Sequence, residues 1–453
     1  MSLAALLLTG VALAVPAGEG GPAARGRGGL TIEREELERT LLDRYAYSED
    51  GRELLDLFLK ARLLDSMAAQ RGIQVSDGEV ARRWKDLEER AKASGGVGLD
   101  DEMQKRHLTP EQFREFLRLA LVQERLTRAA LGLSSKAEVS GDQQELWIQQ
   151  EIQARGMELL PPSDGGGVLA RCGELSVTRA EFGHFLFERL GRDTVRESAW
   201  HLLLRDALEK RMPDLAPAAR ARAVEDEIAR RRQKHAAEYP TLPFEQRLAA
   251  TGRTLDTLRR DPSVAIAALS RLWVDRTAGP EGIRSTYEKE RDLFEARHGE
   301  ALRASLLFLV AGRFVNDLCP RTFEEAEADL ARVAERCADA DEFASIVERR
   351  SEEPGTKKQK GDLGWVTRGD ARVPGPLREA LFHLLDTGGN LPERGRPIGP
   401  VRLDSGVGLL WVTARRPSPP WEEMSERVHE ELRRRLLEEV MPMDSVELLS
   451  GDG

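Results

Sequence analysis

Apolar residues recur at helical spacing along most of this 453-residue chain. Neighbours three and four positions apart predict amphipathic helices that pack against a core. Two such stripes are long and regular: Leu54, Leu55, Phe58, Leu59 and Leu63 form one, and Trp200, Leu203, Leu204 and Leu208 form the other. Apolar runs typical of strands lie toward the C-terminus, at Leu302–Val310, Pro397–Leu403 and Val407–Ala414. The pattern predicts a mainly helical chain with one small antiparallel sheet.

A repeat with a spacing of 145 residues follows from the same pattern. Leu30–Leu37 begins as a strand and turns helical, and Leu175–Phe182 matches it. Glu36 and Glu181 then lie in the first turn of a helix, where the helix dipole favours anions. Further along, Thr109 corresponds to Thr254 at the same spacing. Spacing without drift over this length predicts an internal duplication.

Helix-capping signals order the first copy of the repeat. Gly72 is a C-cap residue, and Ser76 with Glu79 forms a capping box. Thr109 caps a later helix that has Pro110 at its first position. The runs Arg71–Val80 and Thr109–Arg114 in this order resemble the N-terminal chaperone domain of the SurA-like parvulin proteins. The second copy is more degraded, and Cys172 stands where that family typically has asparagine.

The C-terminal third follows the element order β-α-α-(β)-α-β-β. Three of its segments, Phe343–Gly355, Gly361–Trp365 and Ile398–Val401, resemble motifs of the parvulin-type rotamase domain. The resemblance covers about Arg303 to Arg416 and implies an α+β domain that isomerises X–Pro bonds. A charged amphipathic helix at Trp421–Val440 follows. The resemblance implies that it packs back on the N-terminal chaperone domain.

The family resemblance also implies where a catalytic site would lie. Parvulins use two buried histidines with a nearby Cys or Asp, and an aromatic and a methionine hold the prolyl ring. Here Leu306 and Gly408 occupy the histidine positions, and Glu353 occupies the Asp/Cys position. Leu377 corresponds to the aromatic of the proline cradle, and Val373 or Arg372 to the methionine. Phe382 matches a core aromatic, and packing in the core is its better interpretation. The candidate substrate contacts are Phe382, Leu306, Val373 and Leu377.

The loss of both histidines predicts a weak or inactive isomerase, because Leu306 and Gly408 have no side chain that donates or accepts a hydrogen bond. The predicted function is an ATP-independent folding factor that binds unfolded or proline-containing segments. Two alternatives stay open: an active isomerase with a non-standard site that uses Glu353, and a scaffold for a fixed partner.

Composition excludes several other classes of function. A net charge of −10 and an aromatic content of 5% argue against a nucleic-acid partner. No Walker lysine follows Gly165–Gly167, so no nucleotide site is predicted. Cys172, Cys319 and Cys337 have no metal-ligand spacing. They are predicted to be buried thiols, with Cys319–Cys337 as the one candidate disulfide. No cofactor and no metal are expected.

An apolar stretch at Leu3–Ala14 predicts a signal for export to the periplasm or another extracytoplasmic space, since it is too short to span a bilayer. Uncleaved, it would be a membrane anchor; otherwise membrane association is peripheral at most. The full expectation is a multidomain, mainly helical protein with two SurA-N-like helical domains, one parvulin-type domain and a C-terminal helix. The predicted order is a signal peptide at 1–17, a linker at 18–29, a helical domain at 30–160, a linker at 161–167, a second helical domain at 168–278, the parvulin-type domain with a lead-in helix at 279–416, and a C-terminal helix and tail at 417–453.

Overall fold

The chain divides into two compact units. Unit 1 comprises Met1–Trp273 and Leu436–Gly453, and unit 2 comprises Val274–Arg435. The computed structural model describes residues 21–93, 99, 101, 103, 109–134, 137–160, 167–315, 319–387 and 395–449. The predicted signal at 1–17 and most of the predicted linker at 161–167 lie outside the described residues.

The first half of unit 1 is a strand pair followed by long helices and a short strand. These elements are β1 (Pro22–Arg25), β2 (Thr31–Glu33), α1 (Arg34–Tyr45), α2 (Glu49–Gln70), α3 (Asp77–Ala93), α4 (Pro110–Ala130), α5 (Gly141–Arg155) and β3 (Met157–Leu159). Thr109 caps α4 and Ser140 caps α5, each in a reciprocal capping box that satisfies two free amides of the first turn.

The second half of unit 1 also begins with a strand pair that is followed by helices. Its elements up to the unit boundary are β4 (Val168–Cys172), β5 (Leu175–Thr178), α6 (Arg179–Arg189), α7 (Arg192–Arg211), α8 (Pro217–Glu238), α9 (Phe244–Ala250), α10 (Leu255–Arg260) and α11 (Pro262–Thr277). Thr178 caps α6 and Thr254 caps α10, again through capping boxes.

Unit 2 contains a four-stranded antiparallel sheet and short helices. Its elements are α12 (Gly279–Lys289), α13 (Arg291–His298), β6 (Ala301–Val310), α14 (Phe323–Arg336), α15 (Ala340–Arg350), α16 (Pro354–Lys357), β7 (Asp362–Thr367), α17 (Gly375–Asp386), β8 (Arg396–Leu403), β9 (Gly406–Arg416) and the greater part of α18 (Trp421–Val440). The strand order is β7-β6-β9-β8. After α18, the chain ends in β10 (Glu447–Leu448) in unit 1. The predicted fold class, mainly helical with one α+β parvulin-type domain, is confirmed.

One hydrophobic core joins both halves of unit 1. Phe58 of α2 packs against Phe182 and Phe185 of α6, with ring centroids 6.1 and 4.8 Å apart. The predicted division into two helical domains at 30–160 and 168–278 stays a prediction, although the two halves share this core.

The end of α18 also belongs to the core of unit 1. Val440 and Met441 are buried in the same cluster. The indole Nε1 of Trp200 donates to the carbonyl of Met441 at 2.8 Å. The last turn of the C-terminal helix therefore packs in the shared core of unit 1, and its packing on the N-terminal chaperone domain in particular stays a prediction.

The predicted linker at 18–29 needs a correction. Residues Pro22–Arg25 form a strand, and Ala23 and Ala24 are buried. The strand pairs with β2 on one side and with β10 on the other. The four residues Pro-Ala-Ala-Arg have no recognisable strand pattern, and the hydrogen bonds that define this strand come partly from the far end of the chain.

The lead-in to the sheet also differs from the prediction. The single lead-in helix expected at the start of 279–416 is two helices, α12 and α13, that meet at Glu290. The backbone of Glu290 leaves helical geometry there, with φ −118° and ψ 26°. Tyr287 and Phe294 still pack together across this break, with ring centroids 6.1 Å apart.

All three cysteines are free thiols, with Cys172 and Cys337 buried. The alternative of a disulfide between Cys319 and Cys337 is therefore wrong in this structure. No helix in the described part of the chain combines the length and the apolar character needed to cross a bilayer.

Candidate functional site

The two residues predicted to replace the parvulin histidines, Leu306 and Gly408, lie on the central strands of the unit 2 sheet. Leu306 of β6 is opposite Leu410 of β9, and Phe308 is opposite Gly408. Alternate residues of a strand face the same side of the sheet, so positions 306 and 308 share a face with 408 and 410. The helix α17 covers this face and supplies Leu377. The structure thus brings Leu306, Gly408 and Leu377 together.

The space over Gly408 is already filled. A Cβ atom at this position would lie 3.0 Å from Leu306 Cδ1 and 3.0 Å from Leu377 Cδ2. Both distances are shorter than ordinary contacts between carbon atoms, which are about 3.5–4.0 Å. The two leucine side chains therefore occupy the place into which any side chain at position 408 would project.

The predicted substrate contacts lie in a closed apolar cluster. Val373 is 3% exposed, Leu377 0%, Phe382 2% and Leu306 6%. The guanidinium of Arg368 lies 4.6 Å from the centre of the Phe382 ring and covers it. These four side chains pack against one another as core residues, and in this conformation they do not form an open cradle for a prolyl ring.

We predict that Gly408→Ala destabilises unit 2 through this cluster by roughly 1–3 kcal/mol, because the added methyl overpacks it. Leu377→Ala alone leaves a cavity and costs roughly 2–5 kcal/mol. In the double variant the new methyl occupies part of that cavity, so the total loss should fall below the sum of the single losses. Urea denaturation of all four proteins measures this coupling. Additive losses would show that the two side chains do not compete for one space.

Glu353, the predicted catalytic carboxylate, caps the short helix α16. Its carboxylate accepts from the amide of Gly355 at 3.0 Å and from the amide and hydroxyl of Thr356, each at 2.5 Å. Partial burial opposes ionisation, but these hydrogen bonds lower its pKa below the usual range. The carboxylate thus has a structural role in this conformation, and its catalytic role stays a prediction.

The neighbouring Glu352, which the sequence did not single out, ties this loop to the sheet. Its carboxylate accepts from the amide of Val310 at 2.7 Å and from both terminal nitrogens of Arg321, at 2.6 and 2.9 Å. The hydrogen bonds from Arg321 hold the pKa of Glu352 below its usual range. A bidentate pair of this kind fixes geometry, so Glu352 positions the segment that carries Glu353.

Gly361 sets the approach of β7 to β6. The amide of Leu306 donates to the carbonyl of Gly361 at 2.8 Å. Gly361 has φ +79°, and a Cβ atom there would lie 2.4 Å from the carbonyl oxygen of Leu306. Glycine is required here on both counts, so the motif Gly361–Trp365 serves the fold of the site and not its chemistry.

A charged cleft of about 430 Å³ lies within unit 1, between α1 and the helices of the second half. At its wall the carboxylate of Asp261, 8% exposed, pairs with Arg44 at 3.1 Å and with Arg253. Burial opposes ionisation of Asp261, but the two guanidinium groups lower its pKa to about 2. Sequence reasoning missed this triad, since Arg44 of α1 is far along the chain from Arg253 and Asp261, which flank α10.

The run Arg220–Arg232 lies in α8, and its interleaved acids are typical of a solvated helix face. At its centre, however, Glu227 is buried and pairs with both Arg230 and Arg231 of the same helix. Arg220, at the start of the run, pairs with Glu209 at 2.7 Å and lines the cleft.

Parts of the chain are similar to known proteins. The model of the rotamase family, described as the PPIC-type PPIase domain, matches residues 316–413. The chain is 22% identical over 291 residues to the foldase protein PrsA of Geobacillus kaustophilus, which covers 64% of this chain and 86% of the relative. It is 31% identical over 117 residues to the chaperone SurA of Methylococcus capsulatus, covering 26% of this chain and 24% of that protein. Among solved structures, the peptidylprolyl isomerase PrsA of Bacillus cereus is 16% identical, covers 58% of this chain and 82% of that one, and has a TM-score of 0.25.

The family model and the curated relatives confirm the resemblance that the motifs predicted. Residues 316–413 match the parvulin-type rotamase model, and parts of the chain are similar to the foldase PrsA and the chaperone SurA.

Proposed function

We propose that this protein is an exported, ATP-independent folding factor whose parvulin-type domain binds unfolded or proline-containing segments and contributes little or no isomerase activity. The observation that carries the proposal is the packing of Leu306 and Leu377 over Gly408. Catalysis of X–Pro rotation depends on polar groups that stabilise the twisted amide. Aliphatic side chains at these positions offer no such group.

The chaperone half of the proposal is supported by the relatives, which are named as foldase and chaperone. Unit 2 also exposes large apolar side chains beyond the end of β6, with Phe314 79% and Val315 58% exposed. Exposed apolar surface of this kind is typical of contact sites for other polypeptides. Export through the signal at 1–17, and at most peripheral membrane association, complete the proposal.

The first test is the rate of cis–trans isomerisation of a proline-containing peptide. Uncatalysed isomerisation takes roughly 10–100 s at 25 °C, and we expect the full-length chain to leave this rate unchanged. Cis and trans peptide signals measured by magnetisation-exchange NMR, without a coupled protease, provide the readout. A clear acceleration by the wild-type chain would contradict the proposal.

The variant Glu353→Gln identifies the source of any acceleration. If Glu353 acts on the peptide, this variant abolishes the acceleration while the sheet of unit 2 remains folded. Glu352→Gln tests the loop itself, since that carboxylate binds Arg321 and the backbone of β6 and so positions the segment that carries Glu353. Loss of activity in both variants would instead indicate collapse of the loop that carries them.

The second test is suppression of aggregation. Several unrelated unfolded proteins should remain soluble in the presence of the chain without added nucleotide. Phe314→Ser combined with Val315→Ser should weaken this protection, because it removes exposed apolar contact area. Protection of a single protein and none of the others would favour a scaffold for a fixed partner.

A further inference from the structure

Several elements of the two halves of unit 1 are equivalent at a constant spacing. We call residues 21–160 repeat 1, and residues 167–273 with 436–449 repeat 2. Helix α1 begins at Arg34 and α6 begins at Arg179, 145 positions later, and each directly follows a strand. The caps of α4 and α10, Thr109 and Thr254, keep this spacing. The equivalence provides a residue-by-residue key for comparing the contacts that each repeat makes.

The last strand of repeat 1 belongs to the sheet of repeat 2. Strand β3 pairs antiparallel with β4, so that Glu158 lies opposite Arg171 and Leu159 opposite Ala170. One residue further on, the amide of Leu160 donates to the carbonyl of Leu169 at 2.9 Å.

The last strand of repeat 2 belongs to the sheet of repeat 1 in the same register. Strand β10 pairs antiparallel with β1, so that Glu447 lies opposite Arg25 and Leu448 opposite Ala24. The amide of Leu449 donates to the carbonyl of Ala23 at 2.9 Å. In both sheets a Glu-Leu-Leu segment therefore meets an Ala-Arg segment of the other repeat through the same hydrogen bond.

The ion pairs between the repeats are reciprocal. Arg34 of α1 pairs with Glu188 of α6, and Arg179 of α6 pairs with Asp43 of α1 at 3.4 Å. Arg34 is equivalent to Arg179, and Asp43 is equivalent to Glu188, by the spacing of 145. At a two-fold interface, residue i of one copy contacts residue j of the other, and residue j of the first copy contacts residue i of the second. The two ion pairs follow this rule.

The two helices also cross at equivalent residues. A Cβ atom on Gly183 of α6 would lie 3.1 Å from the carbonyl oxygen of Glu38 of α1, and these positions are 145 apart. A two-fold axis that relates two crossing helices passes through such a point. The missing side chain of Gly183 allows the backbones to approach closely there.

We infer that unit 1 is a strand-exchanged pseudo-dimer within a single chain. Each repeat contributes a strand to the sheet of the other. The two repeats thus pair as two copies in a dimer would, but within the same polypeptide. The parvulin-type domain is inserted only in repeat 2, between α11 and α18. At the equivalent place in repeat 1, α4 and α5 are separated by residues 131–140 alone. One chain therefore carries two repeats but a single parvulin-type domain.

Cysteine cross-linking in the full-length chain tests the exchange. In a background with alanine at Cys172, Cys319 and Cys337, a protease site in Pro161–Gly167 divides the chain between the repeats. The matched pairs Leu159→Cys with Ala170→Cys, and Ala24→Cys with Leu448→Cys, join register partners across the cut. After mild oxidation, we expect each pair to link both fragments into one band on a non-reducing denaturing gel.

Two mismatched pairs are the controls. Ala24→Cys with Leu159→Cys lies within the first fragment, and Ala170→Cys with Leu448→Cys lies within the second. The exchanged arrangement keeps both pairs apart, so alkylation and mass spectrometry should find free thiols. Cross-links in the mismatched pairs, with separate fragments in the matched pairs, would overturn the inference.

The cleaved chain without new cysteines provides a readout that does not depend on tolerance of these substitutions. Its fragments should co-elute from a gel-filtration column in native buffer and separate only in denaturant. Elution as two species in native buffer would also overturn the inference.

Discussion

Gly361→Ala is expected to lower the free energy of unfolding of unit 2 by roughly 3 kcal/mol or more. The left-handed backbone, with φ +79°, contributes part of this loss, since such a conformation costs a residue with a side chain roughly 1–2 kcal/mol. The larger part is steric, because the new methyl would lie 2.4 Å from the oxygen of Leu306 and 3.0 Å from its nitrogen. Backbone of a central strand cannot move aside without losing the Leu306–Gly361 hydrogen bond.

Gly364→Ala is the matched control in the same motif. Gly364 also has a positive φ, +69°, but nothing lies within 4 Å of the position that its Cβ would take. It should therefore lose only the conformational part, roughly 1–2 kcal/mol. Hydrogen exchange of peptides from β6 and β9 measures the stability of unit 2 in each variant. Equal losses in the two variants would contradict the steric argument.

Asp261→Asn is expected to destabilise unit 1 by about 2 kcal/mol at neutral pH. Burial of Asp261 disfavours its charge, but Arg44 and Arg253 more than offset this and lower its pKa from 3.8 to about 2. A shift of that size corresponds to roughly 2–3 kcal/mol of preference for the folded state. Asparagine keeps the hydrogen-bonding oxygen that accepts from the amide of Ser263 at 2.9 Å, so the change removes mainly the charge.

The lowered pKa of Asp261 also predicts that the stability of unit 1 decreases at acid pH. A carboxyl with a lowered pKa binds fewer protons when folded, so its contribution is present above pH about 4 and is lost as the pH falls toward about 2. Asp261→Asn should remove this part of the acid sensitivity of unit 1. Thermal unfolding followed by circular dichroism between pH 2 and about 6 measures it.

The matched control is Asp193→Asn, which neutralises an exposed acid of the same unit. The side chain of Asp193 is 92% exposed and pairs with Arg196 on its own helix. Its loss should change stability by less than about 0.5 kcal/mol. If both variants lost the same stability, the buried triad around Asp261 would have no special role.

Many helices and strands of this structure could be predicted from the sequence, because each depends on residues that are neighbours in the chain. The helix predicted at Trp421–Val440 has those bounds, and the strand predicted at Leu302–Val310 begins one residue earlier. The cap at Thr109 forms as predicted, and Thr254, its counterpart at the repeat spacing, also caps a helix. Apolar spacing and capping residues act within one or two turns, so a single stretch of sequence contains what determines each element.

The candidate site was predicted only in part. The motifs placed Leu306 and Gly408 on adjacent strands and indicated that the family histidines are replaced. That Leu306 and Leu377 fill the space over Gly408 could not be predicted, since it depends on how α17 packs against the sheet. The capping role of Glu353 likewise depends on the short helix α16, which the sequence did not predict.

Sequence alone therefore determined the local elements and the resemblance to a parvulin-type domain. The tertiary structure decided which strands pair, which carboxylates are engaged and whether the site is open. Strand β1 illustrates the reason: Ala23 and Ala24 carry no strand signal, and their partner Leu448 lies at the other end of the chain. Hydrogen bonds between strands, and ion pairs such as Arg44 with Asp261, form between segments that only the folded chain brings together.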